Sequence, residues 1–187
     1  MTHHRKLGSL LCGALVLLGG GARAELAAEN LLTGIPEGFE IGFQTREGSM
    51  DMMEFIPKGE TVEDWSSMIT VQVFHSLGKL DADMFAGQIA EMWTAGCYDS
   101  AAERLGAGAV NGYPAAARHD WCPLNTQTGK PEEMWLEAIS GDDALYVVQY
   151  AYRADAGDEM ELRALNYLAA VSVCDTRIAE RDCPTGM

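Results

Sequence analysis

Apolar and polar positions alternate with period two from Phe39, where Phe39, Ile41 and Phe43 are interleaved with Glu40, Gly42 and Gln44. That alternation predicts a strand with one face in water. Arg46-Glu47-Gly48-Ser49 reads as a turn, Met50 to Ile56 as the partner strand, and Pro57-Lys58-Gly59-Glu60 as the close of the pair. Thr61 to Trp65 is polar and predicts a loop or a short helical turn. In Met68 to Phe74 the β-branched Ile69 and Val71, with Val73, share a face, so this run is a strand. The period then lengthens. Asp81 is a candidate N-cap, Phe85, Ile89, Met92 and Trp93 recur at helical spacing, and Gly96 ends the pattern, which predicts a helix over 81–95.

Residues 99–113 are rich in Ala and Gly and weakly patterned, after which Ala115 to Trp121 returns to strand. A polar turn over Asn125 to Pro131 leads to a strand over Met134 to Ile139. Ser140-Gly141-Asp142-Asp143 then turns the chain into Leu145 to Arg153, apolar enough to be covered on both faces. Asp158 with Glu161 resembles a capping box, and Met160, Ala164, Tyr167, Leu168 and Val171 supply the stripe of a closing helix. Strands arrive in hairpin runs and do not alternate with helices. The expected fold class is therefore α+β, a mainly antiparallel β-sheet flanked by two or more helices, as one domain over residues 39–187. Residues 25–38, punctuated by Gly34, Pro36 and Gly38, read as an irregular N-terminal lead-in.

The first residues change the compartment. Arg5 and Lys6 precede an apolar stretch from Leu7 to Leu18 and a small-residue patch ending Ala22-Arg23-Ala24, the layout of a signal peptide cleaved after Ala24. The apolar run is shorter than the roughly 20 residues a membrane helix needs, and no later run reaches that length, so no transmembrane segment is expected in the mature chain. Cys12 raises the alternative of a lipid anchor, but Ser9-Leu10-Leu11 lacks the small residue expected before a lipidated cysteine. The expected location is periplasmic or secreted. Because residues 1–24 hold three cations and no acid, their removal takes the net charge from −15 to −18. An acidic surface of that size excludes a nucleic-acid partner, which is bound by neutralising phosphates with Lys and Arg.

Export also reframes the four remaining cysteines, since thiols outside the cytoplasm pair. Four allow three connectivities; nearness in sequence favours Cys97 with Cys122 and Cys174 with Cys183. A zinc site would place ligands in a close C-x₂₋₄-C pair, which is missing, so structural disulfides are the simpler reading. Cleavage leaves two histidines, His75 and His119, with the parity of apolar strand positions. They are the candidates for a metal or an acid–base pair; a strand-end histidine and a hydrogen-bonded core histidine are the simpler assignments. No G-x-S-x-G nucleophile elbow accompanies them. Glu132, Glu133 and Glu137, and the group Asp155, Asp158, Glu159 and Glu161, are fragments of carboxylate clusters better explained by capping and solvation than by calcium. Trp65, Trp93, Trp121 and Trp135 with ten methionines fill a core or line an apolar pocket. No catalytic residue and no cofactor is expected.

The layout resembles the Mog1/PsbP-like superfamily of small α/β/α sandwiches. The resemblance is carried by the strand-rich start, the helix over 81–95, the segment Asn111-Gly112-Tyr113-Pro114-Ala115-Ala116-Ala117-Arg118, and the strand–turn–strand Ile139-Ser140-Gly141-Asp142-Asp143-Ala144-Leu145-Tyr146 before a closing helix. It implies a binding or assembly accessory without a shared catalytic constellation. The expected function is thus an exported soluble domain that binds a protein partner or a small apolar ligand. The alternative is a periplasmic hydrolase or metal-dependent enzyme using His75 and His119. If the cysteines of the mature protein all pair, thiol labelling of denatured, unreduced protein finds no free cysteine; one labelled thiol per chain would contradict the pairing.

Overall fold

Tight turns set the strand order. In the computed structural model, which describes residues 26–184, β1 (Glu29–Leu32) is followed by β2 (Phe39–Glu47), β3 (Met50–Pro57) and β4 (Ser67–Phe74). The β2–β3 hairpin closes with Glu47 opposite Met50 across a two-residue loop, where Gly48 takes φ 60°. Helix α1 (Ala82–Ala95) carries the chain across the sheet to β5 (Cys97–Tyr98), β6 (Ala101–Val110), β7 (Tyr113–Cys122) and β8 (Leu124–Asn125). The β6–β7 hairpin turns on Asn111-Gly112, at φ 48° and 79°, the positive pair that a primed turn demands. β9 (Glu132–Ser140), β10 (Leu145–Tyr152), α2 (Asp158–Ala169), β11 (Ser172–Asp175) and a 3₁₀ turn at Ala179–Arg181 complete the order.

Seven strands form one sheet in the order β2-β3-β4-β10-β9-β7-β6, every neighbouring pair antiparallel, while β1 pairs with β11 and β5 with β8. The fold is α+β with a helix on each face. On one face Ala82 and Ala86 of α1 meet Ala116, Met134, Leu136, Ala138 and Val147. On the other, Ala164 and Leu168 of α2 pack on Trp135, Ile139, Tyr146, Val148 and Tyr150. Asp81 caps α1 as its sequence foretold, accepting a 2.7 Å hydrogen bond from the Met84 amide.

Four segments differ from their sequence reading. Residues 29–32, placed in an irregular lead-in, form β1, because Glu29 to Leu32 register against Asp175 to Ser172 in a ladder the local pattern does not show. Residues 101–110 are a ten-residue edge strand, stabilised by pairing with β7 and not by side-chain burial. The closing helix starts one residue earlier than the capping-box reading, with Gly157 at the N-cap and no side-chain cap bond, so Asp158 lies inside the first turn. Val171 lies beyond that helix, just before β11. The segment read as a signal peptide lies outside the described residues.

Two disulfides, Cys97–Cys122 and Cys174–Cys183, fasten the end of α1 to the end of β7 and β11 to the carboxyl-terminal segment. The Glu29 carboxylate fastens the other end. It accepts from the backbone amides of Asp142 at 2.6 Å, Asp143 at 3.1 Å and Ala144 at 3.3 Å, and from the Tyr146 hydroxyl at 2.9 Å. The approach requires glycine at 141, since a Cβ there would collide with the Glu29 carboxylate and the Ala144 carbonyl. Charge-assisted bonds to otherwise unpaired amides contribute more than neutral ones. Glu29→Ala is therefore expected to cost about 2–3 kcal/mol in urea unfolding, and an unchanged midpoint would show that water replaces the carboxylate at no cost.

Candidate functional site

An α-helix is wide enough to shield only about two strands of a sheet. Helix α1 covers β7 and β9, and its large residues are not on the covering side. Its buried positions are Ala82, Ala86 and Ala90, so Phe85, Ile89, Met92 and Trp93 project from its flank over the uncovered part of the same face. Beneath them lie Phe74 and Gln72 of β4 and Gln149 of β10, and the space between is a groove of about 460 Å³. Phe85 meets Phe74 edge to face at 5.1 Å. The floor is polar but neutral: the Gln149 amide donates to Gln72 Oε1 at 3.0 Å, and Gln72 Nε2 sits 3.8 Å from the sulfurs of both Met50 and Met52. Met92, 70% exposed, forms the rim and is shared with a neighbouring groove along Gln88, Glu91 and Ala95. None of the seven lining residues is ionisable or nucleophilic. Such a surface holds an apolar body by burial and orients it through two amides.

The two histidines do not meet. His119 on β7 lines up through Trp135 and Tyr150 with Ile69 on β4, and His75 lies six residues beyond Ile69. Three strand spacings and six residues place them on the order of 20 Å apart. Each instead has its own carboxylate. His75 Nε2 is 2.7 Å from Asp51 Oδ2 at an exposed edge. His119 Nε2 is 2.7 Å from Glu133 Oε1, its ring stacked on Trp135 at 4.5 Å between centroids. Glu133 Oε2 accepts from the Ala156 amide at 2.6 Å, so His119 and Glu133 brace the loop that enters α2.

The remaining candidates are dispersed. Glu132 binds Arg153 and Asn125, while Glu133 and Glu137 are separated along β9 by the buried Trp135. Asp158, Glu159 and Glu161 occupy the first turn of α2, where the helix dipole favours negative charge. Among the described residues no group of three or more His, Cys, Asp or Glu is arranged to hold a metal. Trp135 is core, Trp65 lies under the Arg153 guanidinium at 4.2 Å, Trp121 is partly exposed, and Trp93 alone of the four lines the groove. Sequence reading missed the groove itself. Its signal was Gln72 and Gln149, each interrupting an apolar strand.

No family model and no curated protein matches the sequence. Solved structures do. The Ran-binding protein Mog1p of Saccharomyces cerevisiae aligns at TM-score 0.50 and 14% identity over 79% of this chain and 92% of that one. The fold is Mog1/PsbP-like. Cyanobacterial PsbP (CyanoP) of Synechocystis sp. aligns at TM-score 0.48 and 12% identity over 83% of this chain and 98% of that one. LpqN of Mycobacterium tuberculosis, described as involved in cell envelope biogenesis, aligns at 0.35 and 11% over 80% and 86%. No helix among the described residues is long and apolar enough to cross a membrane, and two disulfides fit an exported protein.

Within the Mog1/PsbP-like sheet one polar group stands out. Asp120 on β7 is 0% exposed and both its carboxylate oxygens lack a hydrogen-bond partner, as does the nearby Arg118 Nε. Desolvation pushes the Asp120 carboxyl up to about 6, against the opposing pull of Arg118 and His119. The folded state therefore binds more protons than the unfolded chain between about pH 4 and pH 6, and stability falls as pH rises through that window. Relative to Asp120→Asn, the native protein is expected to lose about 2 kcal/mol between pH 4 and pH 7, at 1.36 kcal/mol per unit. Parallel urea titrations at the two pH values check this, and equal pH dependence of the two proteins would refute it.

Proposed function

We propose that the chain is an exported accessory domain, released after Ala24 into the periplasm or secreted, that binds an apolar small ligand or the apolar side chains of a protein partner in the groove beside α1. The observation that carries this reading is the lining: four large apolar residues on one helix flank, held over two glutamine amides joined by one hydrogen bond. Groups of that kind recognise and orient; they supply no acid, base or nucleophile. Mog1p, which shares the fold, is a Ran-binding protein, so binding through this scaffold has a counterpart. The acidic surface of the chain, net charge −15, weighs against nucleic acid and anionic lipid as partners. A hydrolase or metal centre on His75 and His119 would need the two rings in one cleft, and they lie on different parts of the sheet.

Neutral Nile red titrated into the mature protein tests the groove, with the rise in dye emission as the readout. Ile89→Asp places a charge on the wall at a partly buried position beside the α1 core and is expected to weaken dye binding at least tenfold, with the far-ultraviolet spectrum unchanged. Dye affinity equal to that of the native protein would exclude the groove as the binding surface. Turnover of an ester, phosphate or peptide at an enzyme-like rate, lost in His119→Ala, would overturn the non-catalytic reading altogether.

A further inference from the structure

The opposite face carries a second groove with different chemistry. Helix α2 rests on β10 and β9, which leaves the edge strand β6 and the Ala117 stretch of β7 less covered on its side of the sheet. There a groove of about 360 Å³ runs between Leu165 of α2 and a floor of Gly106, Gly108, Ala115 and Ala117, with Glu137 of β9 at its inner edge. The volume suits a small organic molecule.

Glu137 is the unusual member. Its strand neighbours Glu132 and Glu133 are each held by two or more donors: Arg153 and Asn125 for the first, His119 and the Ala156 amide for the second. Glu137 has no hydrogen-bond or ion-pair partner among the described residues, and its cross-strand neighbours are Ala117 and Val148. A partly buried carboxylate flanked by a methyl and an isopropyl group is costly unless a cation reaches it, and burial alone pushes its carboxyl up to about 7.

The glycines point the same way. A Cβ added at Gly106 or Gly108 would meet nothing within 4 Å, and neither backbone is in the left-handed region. Gly106 sits where the β6–β7 register shifts, while neither a left-handed backbone nor a packing contact requires glycine at Gly108. What these residues do is keep the floor open next to an unpaired carboxylate.

We propose that this groove binds a small primary alkylammonium ligand, its alkyl chain lying on Ala115, Ala117 and Leu165 and its ammonium paired with the Glu137 carboxylate. The walls bury the chain and the single carboxylate selects the charge. The net charge of −15 draws cations toward the surface before contact. The site is independent of the groove beside α1, on the other face of the sheet.

Hexylammonium and 1-hexanol, which differ in the headgroup, are the probes. Calorimetry at about pH 8.5 keeps the carboxylate ionised and the amine protonated, and the methyl signals of Ala115 and Ala117 locate the ligand. Hexylammonium is expected to bind at least tenfold more tightly than hexanol. Glu137→Gln should erase that preference and leave hexanol binding unchanged. Gly108→Leu, which fills the floor without touching Glu137, should abolish binding of both. No binding of hexylammonium, equal affinity for the two probes, a preference that survives Glu137→Gln, or native-like binding in Gly108→Leu would each overturn the proposal.

Discussion

The mismatch in width between a seven-stranded sheet and a single helix governs this molecule. Seven strands span roughly 29 Å, and one helix with its side chains is about 10 Å across. With one helix on each face, other segments share the cover: β1 and β11 add Leu31 and Val173 to the core that α2 closes, Trp65 packs on Ile56 and Met68, and what stays open is a strip beside each helix. The helices are also staggered: α1 sits over β7 and β9, and α2 over β10 and β9 on the opposite side. Strand β9 lies under both helices, and eight of its nine residues are buried. Each helix then leaves a groove on the side its counterpart would have occupied.

Side-chain size decides how those grooves differ. Alanines 82, 86 and 90 are the buried residues of α1, and they face Ala116 and Ala138. Small residues on both sides let the helix approach the sheet closely, so the large residues of the helix have no room beneath it. They turn sideways and become the wall of the apolar groove. Helix α2 instead buries Leu168 with Ala164 over an aromatic sheet surface of Trp135, Tyr146, Tyr150 and Tyr152. Its own flank contributes Leu165, and β6 and β7 contribute Ala and Gly, with Leu105 and Val110 at the two ends of the β6 stretch. One groove is therefore walled by bulk and floored by amides, the other floored by small residues with a carboxylate at its edge.

The sequence showed what depends on local periodicity and little of what depends on partners far along the chain. The alternation at Phe39 to Phe43, the β-branched run at Ile69 to Val73 and the spacing of Phe85, Ile89 and Trp93 are local signals, and the strands and helix they predict are present. The Mog1/PsbP-like arrangement followed from the hairpin order. Strand β1 was illegible because Glu29 to Leu32 pairs with residues that lie 140 to 146 positions later. Strand β6 was obscured by Ala and Gly, although Asn111-Gly112 is itself a hairpin signal joining it to β7. The groove residues are visible as a helical stripe, but core and pocket look alike in it, since periodicity marks which residues share a face and says nothing of whether a partner strand lies beneath. The polar interruptions Gln72 and Gln149 were the clue that this face stayed open.

The disulfide at Cys97 links that open face to the compartment in which the protein works. Helix α1 ends at Ala95 with Gly96 in a right-handed cap and no basic residue in its last turn to favour the dipole. What holds this end is Cys97, bonded to Cys122 of β7, together with Thr126, which donates from its amide and hydroxyl to the Gly96 carbonyl at 3.0 and 2.9 Å. Trp93 and Met92 stand on this last turn, so the far end of the groove is only as fixed as the helix terminus. A bond that closes a separation of 25 residues contributes about 3.5 kcal/mol by chain entropy, far more than the two hydrogen bonds. An oxidising environment keeps that bond closed. The wall of the groove is thus complete only where the two cysteines stay paired.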